Sequence, residues 1–318
     1  MNTPKISIIV IVYDMPRQAM ITLQSLTTAY QQGVSADDYE VIVVENRSTQ
    51  MLDAEQVCGL QPNFRYFLRD EPGKSPAAAL NFGFALATAP TIGIMIDGAR
   101  LVTPGVLRFA LMAVKITPQA LVAVPGYEIG NYPQSLDPSQ TEAKDTALLA
   151  KIRWPLDGYR LFEIASISLA NRSGFFTPFM ECNCLFAPAD VLKELGGADE
   201  RFDLPGGGAL NLYMYHQLAH HPRTTFFVLA GEGSFHQVHG GVTTTVRDTN
   251  PALLGDILSQ LNSFLGEPFK SPTLPSIVLG TLNVPLHPFL RYSAEVFTPR
   301  QWRDRKFIAK FPAAPPDT

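Results

Sequence analysis

The sequence has few cysteines, little net charge and no long apolar run. Its 318 residues include 3 cysteines, 25 Lys or Arg residues and 29 Asp or Glu residues, which gives a net charge of −4. Three cysteines cannot form a disulfide framework, and this charge gives no electrostatic reason to expect a nucleic acid as partner. No apolar run reaches the length of a membrane span, and no signal-peptide pattern opens the chain. We therefore expect a soluble, cytoplasmic protein with at most a peripheral membrane contact.

The first hundred residues alternate short β-branched runs with longer stretches of helical spacing. Hydrophobic residues make up 46% of the chain, enough for a sizeable core. The runs predict strands at 6–12, 39–44, 64–68 and 92–96, and helices at 18–30 and 77–87. This order predicts an α/β fold with a mostly parallel central sheet flanked by helices. Such sheets bind ligands at the carboxyl ends of their strands.

The pattern changes in the second half of the chain. We predict a domain over residues 1–245, with a nucleotide-binding half of about 1–125 and an acceptor half of about 126–245. The stretch 127–156 is rich in Pro, Gln, Ser and acidic residues and is interpreted as an insertion over the sheet. Residues 246–318 are predicted to form a C-terminal helix and a Pro-rich tail, which wraps the domain or mediates a homodimer.

Polar residues follow the predicted strands at four places. An acidic side chain at a strand end can accept hydrogen bonds from a uracil N–H or a ribose hydroxyl, which binds a nucleoside by pairing. The four segments are Tyr13-Asp14, Glu45-Asn46-Arg47-Ser48, Gly73-Lys74 through Asn81, and Asp97-Gly98-Ala99-Arg100. In this order they resemble the family 2 glycosyltransferases, whose nucleotide-sugar-binding domain has the GT-A fold. The resemblance covers roughly residues 5–240 and extends the fold prediction to a GT-A-like domain with a helical and extended C-terminal tail.

The resemblance implies a nucleotide-diphosphate sugar as donor, with uridine preferred and guanosine as the alternative. The implied donor contacts are Tyr13, Asp14, Glu45, Lys74 and Asn81 around the nucleoside and phosphates, and Asp97, Gly98 and Arg100 at the diphosphate. The acceptor is expected to be a hydroxyl of a glycan, of a lipid-linked molecule or of a small molecule, in a bacterial polysaccharide pathway.

The metal motif of the family is incomplete in this chain. Where the family carries Asp-x-Asp, this sequence has Asp97 and then Ala99, which cannot ligate a cation. Related enzymes complete the metal shell with a late histidine, so the resemblance makes His236 and His239 candidate partners of Asp97 for Mn²⁺ or Mg²⁺. In the alternative, Arg100 and a lysine replace the cation.

The usual general base of the family is missing as well. Its acidic segment is replaced by Gly208-Ala209-Leu210-Asn211, and neither alanine nor an amide is a useful base. Glu181 and Glu232 are the candidate replacements, while Asn211 is a candidate for binding a sugar. A retaining route without such a base, or a non-catalytic sugar-nucleotide-binding or scaffold protein, stays open as the alternative to an enzyme.

Overall fold

The structure is a computed structural model that describes residues 3–71, 73, 75–176, 179–240, 251–272 and 274–297. The strands are β1 (Ile6–Val12), β2 (Tyr39–Asn46), β3 (Phe64–Arg69), β4 (Thr91–Met95), β5 (Arg100–Val102), β6 (Ala120–Ala123), β7 (Gly126–Ile129), β8 (Ala165–Ile167), β9 (Leu185–Pro188), β10 (Thr225–Leu229), β11 (Ser234–His236) and β12 (Ile277–Leu279). The α-helices are α1 (Pro16–Gln24), α2 (Ala54–Leu60), α3 (Ala77–Leu86), α4 (Val106–Ile116), α5 (Glu142–Lys151), α6 (Ala189–Glu194), α7 (Leu210–Ala219), α8 (Pro251–Leu265) and α9 (His287–Phe297).

Eight of these strands form the central sheet, in the order β12-β10-β6-β9-β4-β1-β2-β3. All neighbours run parallel except β9, which is antiparallel to both β4 and β6. Every residue of β1 and β2 is buried, as expected for β-branched strands covered on both faces. The prediction of a mostly parallel sheet flanked by helices is confirmed.

Each face of the central sheet has its own hydrophobic core. One core contains buried residues of α1, α2 and α4, among them Leu23, Val57 and Leu107. The other contains residues of α3, α6, α7 and α8. The α3 helix lies close to β1, because a Cβ at Gly83 would come within 2.4 Å of the Ile9 side chain. Small residues on α3 therefore permit tight packing against the sheet.

The other four strands form a second sheet, in the order β5-β11-β7-β8. Aromatic rings pack behind it: Tyr127 stacks on Phe235 with centroids 5.0 Å apart, and Phe162 and Phe289 meet Tyr127 edge-on. The predicted insertion supplies β7 and α5 to this region. The sequence analysis did not predict this sheet, since strands of three or four residues leave almost no periodicity.

The described residues of 251–272 and 274–297 pack against the rest of the protein. Ile257 and Leu261 of α8 are buried in the second core, and β12 adds an edge strand parallel to β10. Leu286, just before α9, is fully buried beside the aromatic rings. The predicted domain end near residue 245 and the tail after residue 297 lie outside the described residues, so the homodimer remains a prediction.

Candidate functional site

Asp97 and two histidines converge just beyond the carboxyl end of β4. The antiparallel register of β5 and β11 sets His236 opposite Arg100, which brings the histidine loop next to Asp97. The Asp97 Oδ2 lies 3.0 Å from the Nε2 of His236, and the Oδ1 lies 3.5 Å from the Nε2 of His239. The two Nε2 atoms are 3.0 Å apart. The structure thus brings together Asp97 and both histidines that the resemblance made candidate ligands, although they are more than a hundred residues apart in the chain.

The triad has the donor set and spacing of a divalent-metal site. All three ligand atoms lie within 4.8 Å of one another. Two ligands at about 2.1 Å from a metal and at right angles to each other are about 3.0 Å apart, which matches the His236–His239 separation. Two imidazole nitrogens with one carboxylate suit Mn²⁺ better than Mg²⁺. The residues present therefore fit a bound cation and leave coordination positions for ligand oxygens.

The protonation of the triad follows from its burial and its charges. Burial favours the neutral acid, but the two imidazoles reverse this effect and hold the pKa of Asp97 well below its usual range. Burial lowers the pKa of His236 despite the nearby carboxylate. At His239 the Asp97 carboxylate outweighs burial, so that pKa is raised. An anionic Asp97 between imidazoles is an attractive position for a cation.

Arg100 places a positive charge beside the Asp97–His236–His239 triad. Its side chain is largely buried, and its Nε lies 3.4 Å from the Asp97 Oδ2. Within the described part of the chain this Nε has no hydrogen-bond partner. A buried guanidinium with unused donors suits an anionic ligand such as a diphosphate.

Glu181, Asn183 and Asn211 form a polar group at the amino end of β9. The Nδ2 of Asn211 donates to the Glu181 carboxylate and, at 3.1 Å, to the Oδ1 of Asn183. Burial raises the pKa of Glu181, an effect opposed by Arg100 and the two amides. The structure therefore brings Glu181 and Asn211 together, and Arg100 is near enough to act on the Glu181 charge. Asn183 was missed, although its polar amide two residues after Glu181 was a usable signal.

Tyr13 and Asp14 lie at the carboxyl end of β1. Tyr13 is partly exposed, and Asp14 adopts a φ of 55°, a left-handed conformation that is uncommon for a residue other than glycine. The Asp14 backbone N–H donates to the Ser48 hydroxyl, and its carboxylate accepts from the Gln50 N–H. Asp14 thus ties the loops after β1 and β2 together and leaves the Tyr13 side chain accessible.

Glu45 lies in the core of the protein, and its neighbour Asn46 takes the position facing the opposite side of β2. The Glu45 carboxylate has no exposed surface and accepts hydrogen bonds from the Leu52 N–H and the Tyr66 hydroxyl. The Oδ1 of Asn46 has no hydrogen-bond partner among the described residues. Successive strand residues face opposite sides, so the two side chains lie on different faces of β2. Both are buried, with Asn46 at 4% exposure, so a ligand contact of Glu45 stays a prediction and the proposed site does not include it.

Glu232 is not brought to the triad either. It precedes β11 at the end opposite to His236, and it has no exposed surface. Its carboxylate accepts from the Thr103 hydroxyl at 2.6 Å, the Gly105 N–H and the Tyr159 hydroxyl. These hydrogen bonds hold the start of α4 and make Glu232 a buried structural carboxylate.

Three of the predicted donor residues remain. The Asn81 amide donates to the Ala198 carbonyl and to Glu200, and accepts from the Ala198 N–H, so it joins α3 to the loop after α6. Lys74 lies outside the described residues. Gly98 lies directly under β1, since a Cβ there would come within 2.7 Å of the Ile11 carbonyl oxygen.

Similar solved structures are glycosyltransferases with the GT-A fold. TarS from S. aureus has a TM-score of 0.54 and 12% identity over 84% of this chain, which spans 40% of that chain. Residues 1-349 of TarS in complex with UDP-GlcNAc give a TM-score of 0.52 at 13% identity, over 84% of this chain and 68% of that one. The mannosyltransferase PcManGT from Pyrobaculum calidifontis, in complex with GDP-Man and Mn²⁺, gives 0.50 at 18% identity, over 93% and 70%.

Three further findings remain. Among the described residues, no helix is both long and apolar enough to cross a bilayer. No curated protein matches the chain significantly. The family model for glycosyl transferase family 2 matches residues 7–176, more than half of the 318 residues. The chain therefore belongs to glycosyl transferase family 2.

Proposed function

We propose that the protein transfers a sugar from a nucleotide-diphosphate donor, preferably a UDP-sugar, to a hydroxyl of a glycan, a lipid-linked molecule or a small molecule. The observation that carries this proposal is the convergence of Asp97, His236 and His239 beside the buried Arg100. Solved TarS complexes with UDP and with UDP-GlcNAc, and the PcManGT complex with GDP-Man and Mn²⁺, support a nucleotide-sugar donor.

The triad and Arg100 would bind the donor diphosphate. Asp97, His236 and His239 are the residues that would hold a divalent cation, Mn²⁺ by preference. Such a cation neutralises the negative charge that builds up on a leaving nucleoside diphosphate. Arg100 donates to diphosphate oxygens from the same side and offsets the remaining charge.

The acceptor hydroxyl would be deprotonated by Glu181. Burial raises the pKa of this carboxyl, which makes its carboxylate a stronger base than an exposed glutamate. In this mechanism Asn211 and Asn183 keep the carboxylate oriented, and the proton of the acceptor hydroxyl moves to a Glu181 oxygen as that hydroxyl attacks the sugar. Inversion at the anomeric carbon is the expected outcome of this arrangement.

The nucleoside would lie at the ends of β1 and β2. The accessible Tyr13 ring offers a stacking surface. The Asn46 carbonyl oxygen is buried and has no partner among the described residues, so it would accept from a base or ribose donor that reaches it. Asp14 shapes this end of the sheet through its links to the loop after β2.

Titration calorimetry with UDP and with GDP, each with and without Mn²⁺, tests donor binding. We expect UDP to bind more tightly than GDP and only weakly without Mn²⁺. The double variant His236→Ala, His239→Ala should lose the Mn²⁺ dependence. Affinity that is unchanged by EDTA and by the double variant would eliminate the metal and favour a site in which Arg100 and Lys74 replace it. No heat from either nucleotide at millimolar concentration would end the proposal.

A second candidate function is nucleotide-sugar binding without catalysis. It is favoured by the buried Ala99 and Ala209, which stand where the family has acidic residues. Slow hydrolysis of the donor separates the two functions. Hydrolysis by the wild type that is absent in Asp97→Ala supports the enzyme, whereas equal background rates in both support the binding protein.

A further inference from the structure

The stretch 126–156 contacts the histidine loop through Gln134. The side chain of Gln134 is 8% exposed and forms two hydrogen bonds with one residue. Its Nε2 donates to the His236 carbonyl oxygen at 3.1 Å, and its Oε1 lies 2.9 Å from the His236 Nδ1. The Gln134 backbone N–H donates in turn to the Glu128 carboxylate at 2.6 Å. The backbone of Gln134 is thus held by Glu128, while its side-chain amide forms hydrogen bonds with two atoms of His236.

These contacts fix which imidazole nitrogen is left for a cation. A backbone carbonyl oxygen can only accept, so the NH₂ group of Gln134 must face the His236 carbonyl. The Gln134 Oε1 then faces the Nδ1 and can only accept from it. The Nε2 faces the Asp97 Oδ2 at 3.0 Å. When a cation takes the Nε2 lone pair beside Asp97, the neutral His236 ring carries its proton on Nδ1, where Gln134 accepts it.

We propose that Gln134 is a positioning residue that holds His236 in the tautomer able to ligate a cation through Nε2. This inference rests on the proposed metal site and adds the residue that prepares it. Outer hydrogen bonds of this kind orient a metal-binding histidine and make it a better ligand.

The rest of the histidine loop is held by other residues. The Val238 N–H donates to the buried Asp145 carboxylate at 2.7 Å, and the Val238 carbonyl accepts from the Gln18 Nε2 at 2.6 Å. The backbone between the two histidines therefore has anchors that do not involve Gln134. Replacing Gln134 should release the His236 ring and leave the loop in place.

Mn²⁺ binding without nucleotide, measured by electron paramagnetic resonance, tests the inference. In Gln134→Met, which keeps the length but loses both polar groups, we expect the Mn²⁺ affinity to fall by about 10- to 100-fold. Gln134→Glu keeps an oxygen acceptor for the Nδ1–H and should bind at least about tenfold more tightly than Gln134→Met. The matched control is Gln31→Met, since Gln31 is an equally buried glutamine whose hydrogen bonds go to Ser25, Thr103 and Leu107.

The outcomes separate this inference from the proposed function. If the wild type does not bind Mn²⁺, the metal site and this inference both fall. If Gln134→Met binds Mn²⁺ as tightly as the wild type, or loses no more affinity than Gln31→Met, only the role of Gln134 is overturned. A second readout needs no variant: ring ¹⁵N shifts of His236 in the wild type saturated with Zn²⁺, a diamagnetic cation that imidazole nitrogens bind. A proton on Nδ1 with the cation on Nε2 supports the inference, and a cation on Nδ1 overturns it.

Discussion

Ala99 occupies the position where the family has the second aspartate of its metal motif. Its side chain is fully buried in the core formed with α1, α2 and α4. Its backbone N–H donates to the Asp97 Oδ1, and its carbonyl accepts from the Gln237 N–H. The residue thus links the metal loop to the histidine loop through its backbone, and the histidines provide the ligands that its side chain cannot.

Restoring the family residue should therefore harm the protein. We expect Ala99→Asp to lower the free energy of unfolding by about 2 kcal/mol or more, because a carboxylate there is buried without a designed partner. Urea unfolding measures this change, and Ala143→Asp, at an exposed position of α5, is the control, with an expected change within about 0.5 kcal/mol. An Ala99→Asp protein that is as stable as the wild type and binds Mn²⁺ more tightly would contradict the histidine-based site.

Glu181 should control the acid side of the pH–rate profile. A general base must be deprotonated, so the rate should fall as the pH decreases through a pKa above about 4.3, the ordinary value for glutamate. The pKa of Glu181 is above its ordinary value because the carboxyl group is buried. Glu181→Gln should lower kcat by about 10²- to 10⁴-fold and leave donor affinity unchanged.

Steady-state rates and donor titration of the same variant measure the two quantities. The exposed Glu55→Gln serves as the control and should keep both. If Glu181→Gln retains kcat and the acid limb of the profile, Glu181 is not the base and a retaining route gains support.

Individual residues differ in how well the sequence predicted their place in the candidate site. Asp97, His236 and His239 could be predicted because the resemblance fixed the position of each on a strand end or a loop. Glu45 could not be distinguished from Asn46, because both follow the same apolar run and only the orientation of β2 decides which one is free. Gln134 gave no signal at all, since its contact with His236 crosses about a hundred residues of chain and depends on the fold of the stretch 126–156.

At the scale of elements, the turn between β4 and β5 packs tightly against β1 near the site. A Cβ on Gly98 would come within 2.7 Å of the Ile11 carbonyl oxygen and 3.0 Å of the Val12 side chain. A backbone oxygen of a central strand cannot move aside cheaply, so the whole turn, including Asp97, would have to shift.

We expect Gly98→Ala to destabilise the protein and to weaken Mn²⁺ binding together. Gly59→Ala is the matched control: Gly59 is in α2 with nothing within 4 Å of the new Cβ, so the change should stabilise by about 0.5–1 kcal/mol. Thermal unfolding measures the stability of the two variants, and Mn²⁺ titration measures their affinity for the cation. Equal stability and equal Mn²⁺ affinity in Gly98→Ala would show that the turn is not held against β1.

The elements differ in how well the sequence predicted them. The predicted strands at 6–12 and 39–44 correspond closely to β1 and β2, since buried strands of seven or eight residues that are rich in Val and Ile are strong signals. The three-residue strands β5 and β11 carry the register that brings His236 to Arg100, yet they are too short to show any alternation. The two strands most important for the site, β5 and β11, were therefore the least predictable.

At the scale of the whole molecule, the second sheet connects the proposed site to the C-terminal segment. The strand β11 carries His236 on one side of this sheet, and its Phe235 belongs to the aromatic cluster that contacts α9. The Phe175 N–H also donates to Ser293 of α9. The predicted separate tail is thus, as far as the described residues extend, part of the support of the histidine loop.

Two leucines that precede α9 test this support with matched chemistry. Leu286 is fully buried among the aromatic rings, whereas Leu282 is 73% exposed. We expect Leu286→Ala to lower the free energy of unfolding by about 2–5 kcal/mol, since it removes buried methyl groups and leaves a cavity, while Leu282→Ala changes it by less than about 0.5 kcal/mol. Urea denaturation measures both. Equal stability of the two variants would mean that the C-terminal segment does not pack on the second sheet, and the histidine loop would then have to be held by Asp145, Gln18 and Gln134 without it.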